Sequence, residues 1–100
     1  KTNKGDCVMG YYIQTPGFNK GKADIIIDKY DAIETDPPKT FGAIPEGLGL
    51  VVVVDNGPFE AVAYVYSPAE FTEMVLQPDR RRKRYLYMDK IEAEKASGYA

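Results

Sequence analysis

Residues 48–66, LGLVVVVDNGPFEAVAYVY, read as two strands joined by a tight connection. Leu50 to Val54 are all aliphatic, and the β-branched valines stiffen χ1 and favour a pleated surface over a helix. The run is apolar at every position instead of alternating, which predicts a strand covered on both faces and central in its sheet. Asp55-Asn56-Gly57-Pro58 then breaks the pattern. Asn-Gly is a strong hairpin signal because both residues tolerate positive φ. Pro58 has no N–H to close a two-residue turn, so a wider loop from Asp55 to about Phe59 is expected. On the return strand Phe59, Ala61, Ala63 and Val65 share one face, and Glu60, Val62, Tyr64 and Tyr66 share the other. The small alanines predict a closely packed helix on the first face, and the amphipathic tyrosines predict a second face that is only partly covered.

The 100 residues suit one domain with a single core, with positions 1–6 as a loose polar lead-in. A hydrophobic share of 44%, a charged share of 28% and a net charge of -2 are ordinary for a globular chain and give no global pull toward nucleic acid or membrane. The single cysteine, Cys7, cannot close an internal disulfide, which points to a reducing, cytoplasmic setting. With no histidine the chain lacks the commonest general base and the commonest transition-metal ligand, so His-based triads and zinc sites are excluded. No apolar run approaches the ~20 residues of a membrane span, and no membrane partner is expected.

Taken in order, Cys7 to Gln14 has strand composition, and Thr15-Pro16 ends it. A helix capped at Thr15 or, better, at Asn19 should run to about Tyr30, because Ala23, Ile26, Ile27 and Tyr30 fall on one stripe. Ala32 to Thr35 suits a short edge strand, stopped by Asp36-Pro37-Pro38. Residues 37–47 form a loop anchored by Phe41 and Ile44. Ser67-Pro68-Ala69-Glu70 is a capping box that starts a short helix burying Phe71, Met74 and Val75, and Gln77-Pro78-Asp79 ends it. YLYM at 85–88 is a strand, and Asp89 with Glu92 caps a last helix that ends near Gly98. The expected fold is α+β, a small mixed sheet of four or five strands with two or three helices mainly on one face.

Two stretches invite functional readings. Arg80, Arg81, Arg82, Lys83 and Arg84 form an unbroken basic run holding five of the 13 basic residues, which leaves eight against 15 acidic ones elsewhere. Such a run suits docking to an acidic protein or a nucleic acid, with Tyr85 and Tyr87 available for stacking. It equally suits a solvated strand edge protected against aggregation, or salt bridges to Asp24, Asp28, Asp31, Glu34 and Asp36. If their strands are neighbours, Tyr11, Tyr12, Tyr64, Tyr66, Tyr85 and Tyr87 build a tyrosine-rich sheet face with arginines at its end, suited to partner contact or to a homodimer. The second stretch is GFNKGKA at 17–23, where Asn19, Lys20, Gly21 and Lys22 resemble the start of an anion-binding helix. It is not a P-loop, because only three residues separate Gly17 from Gly21 and Ala23 replaces the hydroxyl residue. Asp55 and Asp89 follow strands and would form a carboxylate pair if those strand ends were neighbours, although a turn and a cap explain them as well.

The pattern from PFEAVAYVYSPAEF through MDKIEAEKASGY resembles small proteins encoded by tailed phages. The resemblance implies a phage or its bacterial host as the source and brings no motif of defined chemistry. The expectation is therefore a cytoplasmic, non-enzymatic binding protein with no catalytic residue, cofactor or metal, engaging an acidic protein or nucleic acid. A nucleotide or phosphate compound at Lys20 and Lys22 is the alternative.

Overall fold

The computed structural model describes residues 11–15 and 21–99. Strands β1 (Tyr11–Tyr12), β2 (Ile33–Thr35), β3 (Leu48–Asp55), β4 (Glu60–Val65) and β5 (Lys83–Asp89) form one sheet in the order β1-β4-β3-β5-β2. Three helices accompany them, α1 (Lys22–Tyr30), α2 (Pro68–Phe71) and α3 (Lys90–Ser97). The fold is a small α+β domain. Every neighbouring pair runs antiparallel, so the sheet is antiparallel throughout and not mixed as expected from the sequence.

The aliphatic run takes the centre for the reason its composition gives. Leu50 to Val54 are all buried, and β3 pairs along nearly its whole length with β4 on one side and β5 on the other. Alternation sends Val51 and Val53 to one face, where they pack with Val62, Tyr64, Leu86 and Met88 beneath Ala23 and Ile26 of α1 and Ala93 of α3. Leu50, Val52 and Val54 go to the other face and meet Val65 and Phe71, with Phe41, Ile44, Met74 and Val75 closing over them. The predicted stripe of α1 and the predicted anchors of the 37–47 loop are thus both in use. Between β3 and β4 the loop spans 56–59. The Asp55 side chain accepts the Gly57 N–H at 3.0 Å, and Gly57 takes φ 90°, which its missing Cβ permits.

The helices are distributed differently from the alanine argument. The longer helices α1 and α3 lie over the Val62/Tyr64 face, and the short α2 covers the alanine side. Gly49 explains the exchange. A Cβ there would lie 3.0 Å from Cε1 of Tyr64 and 3.3 Å from Cβ of Ala93, so the bare backbone at Gly49 makes the room that the Tyr64 ring and α3 share. Tyr64 is only 3% exposed, and a residue type that reads as amphipathic is core here.

The start signals at Ser67 and Asp89 hold, whereas α1 is capped by Gly21 with no side-chain cap bond and not by Thr15. The Ser67 hydroxyl accepts the Glu70 N–H at 3.2 Å, and Asp89 accepts the Glu92 N–H at 3.1 Å. Past Phe71 the helix widens into a π turn over Thr72–Leu76, closed by the Gln77 N–H donating to the Thr72 carbonyl at 3.0 Å. Gly98 ends α3 in the left-handed region at φ 81°.

Candidate functional site

At the end of the sheet where β3 finishes and β5 begins lies the basic run, and three of its five cations are already engaged within the molecule. Arg81 forks onto Asp79, with Nε 3.0 Å from Oδ1 and Nη2 2.6 Å from Oδ2, and its Nη1 donates to Oδ1 of Asn56 at 2.7 Å. The guanidinium holds the Asp79 carboxyl well below the usual carboxylate range, chiefly through those hydrogen bonds. Lys83 turns inward, its side chain 8% exposed, and donates to the Met74 carbonyl at 2.7 Å, which ties the π turn to β5. Arg84 grips Glu34 of the edge strand β2 through Nε at 2.9 Å and Nη2 at 2.7 Å, with Asp24 of α1 3.8 Å away. That hydrogen bonding lowers the Glu34 pKa. The salt-bridge reading of the run is realised for Glu34 and Asp24. The side chains of Arg80 and Arg82 are exposed and form no ion pair with a described residue, although Arg82 lines a small cleft with Asp55 and Glu60.

The tyrosines do not form one face with these arginines. β3 separates β4 from β5, and the register sends Tyr64 to one side of the sheet and Tyr85 and Tyr87 to the other, where they pack on the Leu50/Val52 core. The condition of adjacent tyrosine strands is met only by β1 and β4. The aromatics that do accompany the basic turn are Tyr12 and Phe59, 44% and 45% exposed, which share a groove of about 320 Å³ with Asn56, the partner of Arg81. Sequence reasoning grouped Tyr12 with the other strand tyrosines and gave Phe59 no role. Tyr12 is placed opposite Ala63 by the β1–β4 register, which no local pattern encodes, and Phe59 closes the β3–β4 loop.

The candidate anion site is also changed by a distant partner. Asn19 and Lys20 lie outside the described residues, as does Cys7. Gly21 caps α1 in the left-handed region, and the Lys22 N–H donates to the Glu60 carboxylate at 3.0 Å. An anionic side chain of the protein already occupies that helix start, satisfying an N–H that a phosphate would need. Asp55 and Asp89 sit at opposite ends of the sheet, because β3 and β5 are antiparallel and Asp89 pairs with Leu48, so no carboxylate pair forms from them. Among the described residues no cluster of acidic or cysteine side chains is arranged to hold a metal ion.

A second region stands out at the far end of the same strands. Tyr66 meets Tyr11 edge to face, with ring centroids 4.7 Å apart, and Tyr99 meets Tyr11, Tyr64 and Tyr66 at 5.3, 5.8 and 5.2 Å. Three of these rings line a cleft of about 390 Å³. Its other walls are the 44–47 loop, the start of β3, and Lys90 and Glu94, one turn apart on α3. Burial first, and then the charge of Glu94, push the Tyr64 phenol from 10.0 up to about 12. Tyr66 is raised by burial and by Glu70 and Glu73. Glu70, 8% exposed, is itself raised by burial and by Glu73.

Among the described residues no helix is long and apolar enough to cross a membrane. In comparisons with known proteins, no family model, no curated protein and no solved structure matches this chain.

Proposed function

We propose that this chain is a non-enzymatic binding protein that docks an acidic protein surface with the turn carrying Arg80 and Arg82. The observation that carries the reading is the division of labour within the basic run. Arg81, fixed by Asp79 and Asn56, braces the turn, while its two neighbours remain exposed and form no ion pair with a described residue. Holding charged groups in place before binding removes part of the ordering cost of association. Tyr12 and Phe59, exposed beside the Asn56–Arg81 contact, supply aromatic area, and arginine with tyrosine is the composition of interface hot spots. A nucleic acid is less favoured, since the chain is net acidic and only two of the five cations of the run are exposed without an ion pair to a described residue.

The test compares the protein with the double variant Arg80→Glu/Arg82→Glu, using polyglutamate and a single-stranded oligonucleotide as probes. The reading predicts salt-sensitive polyglutamate binding that the variant loses, with an unchanged melting temperature. Equal binding by the variant, or no binding by the parent protein, overturns it. A preference for the oligonucleotide makes nucleic acid the partner instead.

A further inference from the structure

The cleft at the Leu48/Asp89 end is left over by the docking reading, and its chemistry is the reverse of the arginine turn. Its walls are π faces and carboxylates. Tyr64, Tyr66 and Tyr99 present the rings, and Glu46 and Glu94 line the same space. Glu70 and Glu73 stand close enough to Tyr66 for their charge to act on its phenol. Lys90 is the one cation lining the cleft among the described residues. Aromatic faces carry a negative quadrupole that attracts cations, and nearby carboxylates add to that field in a partly dehydrated space. Neither Glu46 nor Glu94 forms an ion pair with a described residue.

We infer that this cleft is a binding site for an organic cation, a guanidinium or alkylammonium group seated against Tyr66 and Tyr99 with its charge toward Glu94. At about 390 Å³ the space is within the range of small-ligand sites and ample for one arginine-sized head group and its stem. Tyr64 is the buried wall, locked under α3 by the room that Gly49 leaves. Tyr99, 44% exposed, is the outer wall. The group can arrive on a basic peptide or as a free amine, since both present the same chemistry to the rings.

The experiment follows amide chemical shifts while Nα-acetyl-arginine amide is titrated into the whole chain, with Nα-acetyl-citrulline amide as the neutral isostere. Saturable shifts confined to residues 46–49, 64–66 and 90–99 are expected for the arginine compound, and binding about tenfold weaker for citrulline. Glu94→Gln and Tyr99→Ala should each weaken the arginine compound several-fold. Lys90→Met should tighten it, an effect opposite to what an anionic ligand would show. Lys90 is exposed, so its variant keeps the readout if a change at Glu94 or Tyr99 disturbs Tyr64. Equal binding of citrulline, no saturable shift, or weakening by Lys90→Met overturns the site. A parallel titration with tetramethylammonium and with the peptide Gly-Arg-Gly separates the sources. Tighter peptide binding assigns a side chain of a partner, and tighter tetramethylammonium binding assigns a free amine.

Discussion

At one end of β3, β4 and β5, Arg81, Lys83 and Arg84 are held by Asp79, Met74 and Glu34; at the other, Tyr64, Tyr66 and Tyr99 are held largely by one another. The same strands therefore end in two kinds of order. Exposed ion pairs set direction at little gain in stability, because water screens them and ordering long side chains opposes them. Buried rings contribute through the area they remove from water and the contacts they make. The exposed arginines can accordingly be rewritten at small cost to the fold, whereas the inward-turned Lys83 and part of the tyrosine end belong to the fold. Where function is concerned the ends also differ in sign, guanidinium groups facing outward at one and carboxylates with π faces at the other.

That contrast is broken first by attacking the buried ring. Tyr64→Ala should cost about 3–5 kcal/mol in urea unfolding, as for large aromatics truncated in cores. A loss below ~1 kcal/mol would mean that Tyr64 does not anchor its end. Raising the pH probes the same group without a substitution. Its phenol is neutral in the folded protein up to about 12 but ionises near 10.0 when unfolded, so its contribution is complete below pH 10 and disappears as pH rises toward 12. The loss should exceed that of Tyr64→Phe by on the order of 2–3 kcal/mol, the remainder in the variant coming from Tyr66 and Tyr85, whose phenols are also raised, measured as stability against pH for both proteins. Gly49→Val drives a side chain into the Tyr64 ring and Ala93 and should cost about 1–3 kcal/mol, visible as a lowered melting temperature. At the arginine end Arg84→Met should change stability by less than ~1 kcal/mol despite deleting two short hydrogen bonds to Glu34. A larger loss there would erase the distinction between the ends.

What could be read in the chain beforehand follows the reach of each interaction. The Leu50–Val54 run, the Asn56-Gly57 turn and the caps at Ser67 and Asp89 are decided by neighbours within a few residues, and each stands where its pattern points. The sites depend on longer reach. Arg84 meets a carboxylate 50 positions away, and Lys22 meets one 38 positions away. Nothing local to the basic run reveals that Arg81, Lys83 and Arg84 are engaged and that Arg80 and Arg82 are left over. The tyrosines show the same limit. Period-two alternation assigns each to a face of its own strand, but only the strand order shows that Tyr64 and Tyr85 look in opposite directions. Gly49 carried a usable signal, since glycine inside a strand marks close approach by a neighbour, although only the structure names Tyr64 and Ala93 as that neighbour.

The claim that the two ends bind partners of opposite charge is tested most directly by mapping amide shifts for two probes on one sample. Polyglutamate should move Tyr12, Asn56, Phe59 and residues 79–82, while Nα-acetyl-arginine amide moves residues 46–49, 64–66 and 90–99. If both probes perturb the same end, or neither gives localised saturable shifts, the account of a two-ended binding protein is contradicted.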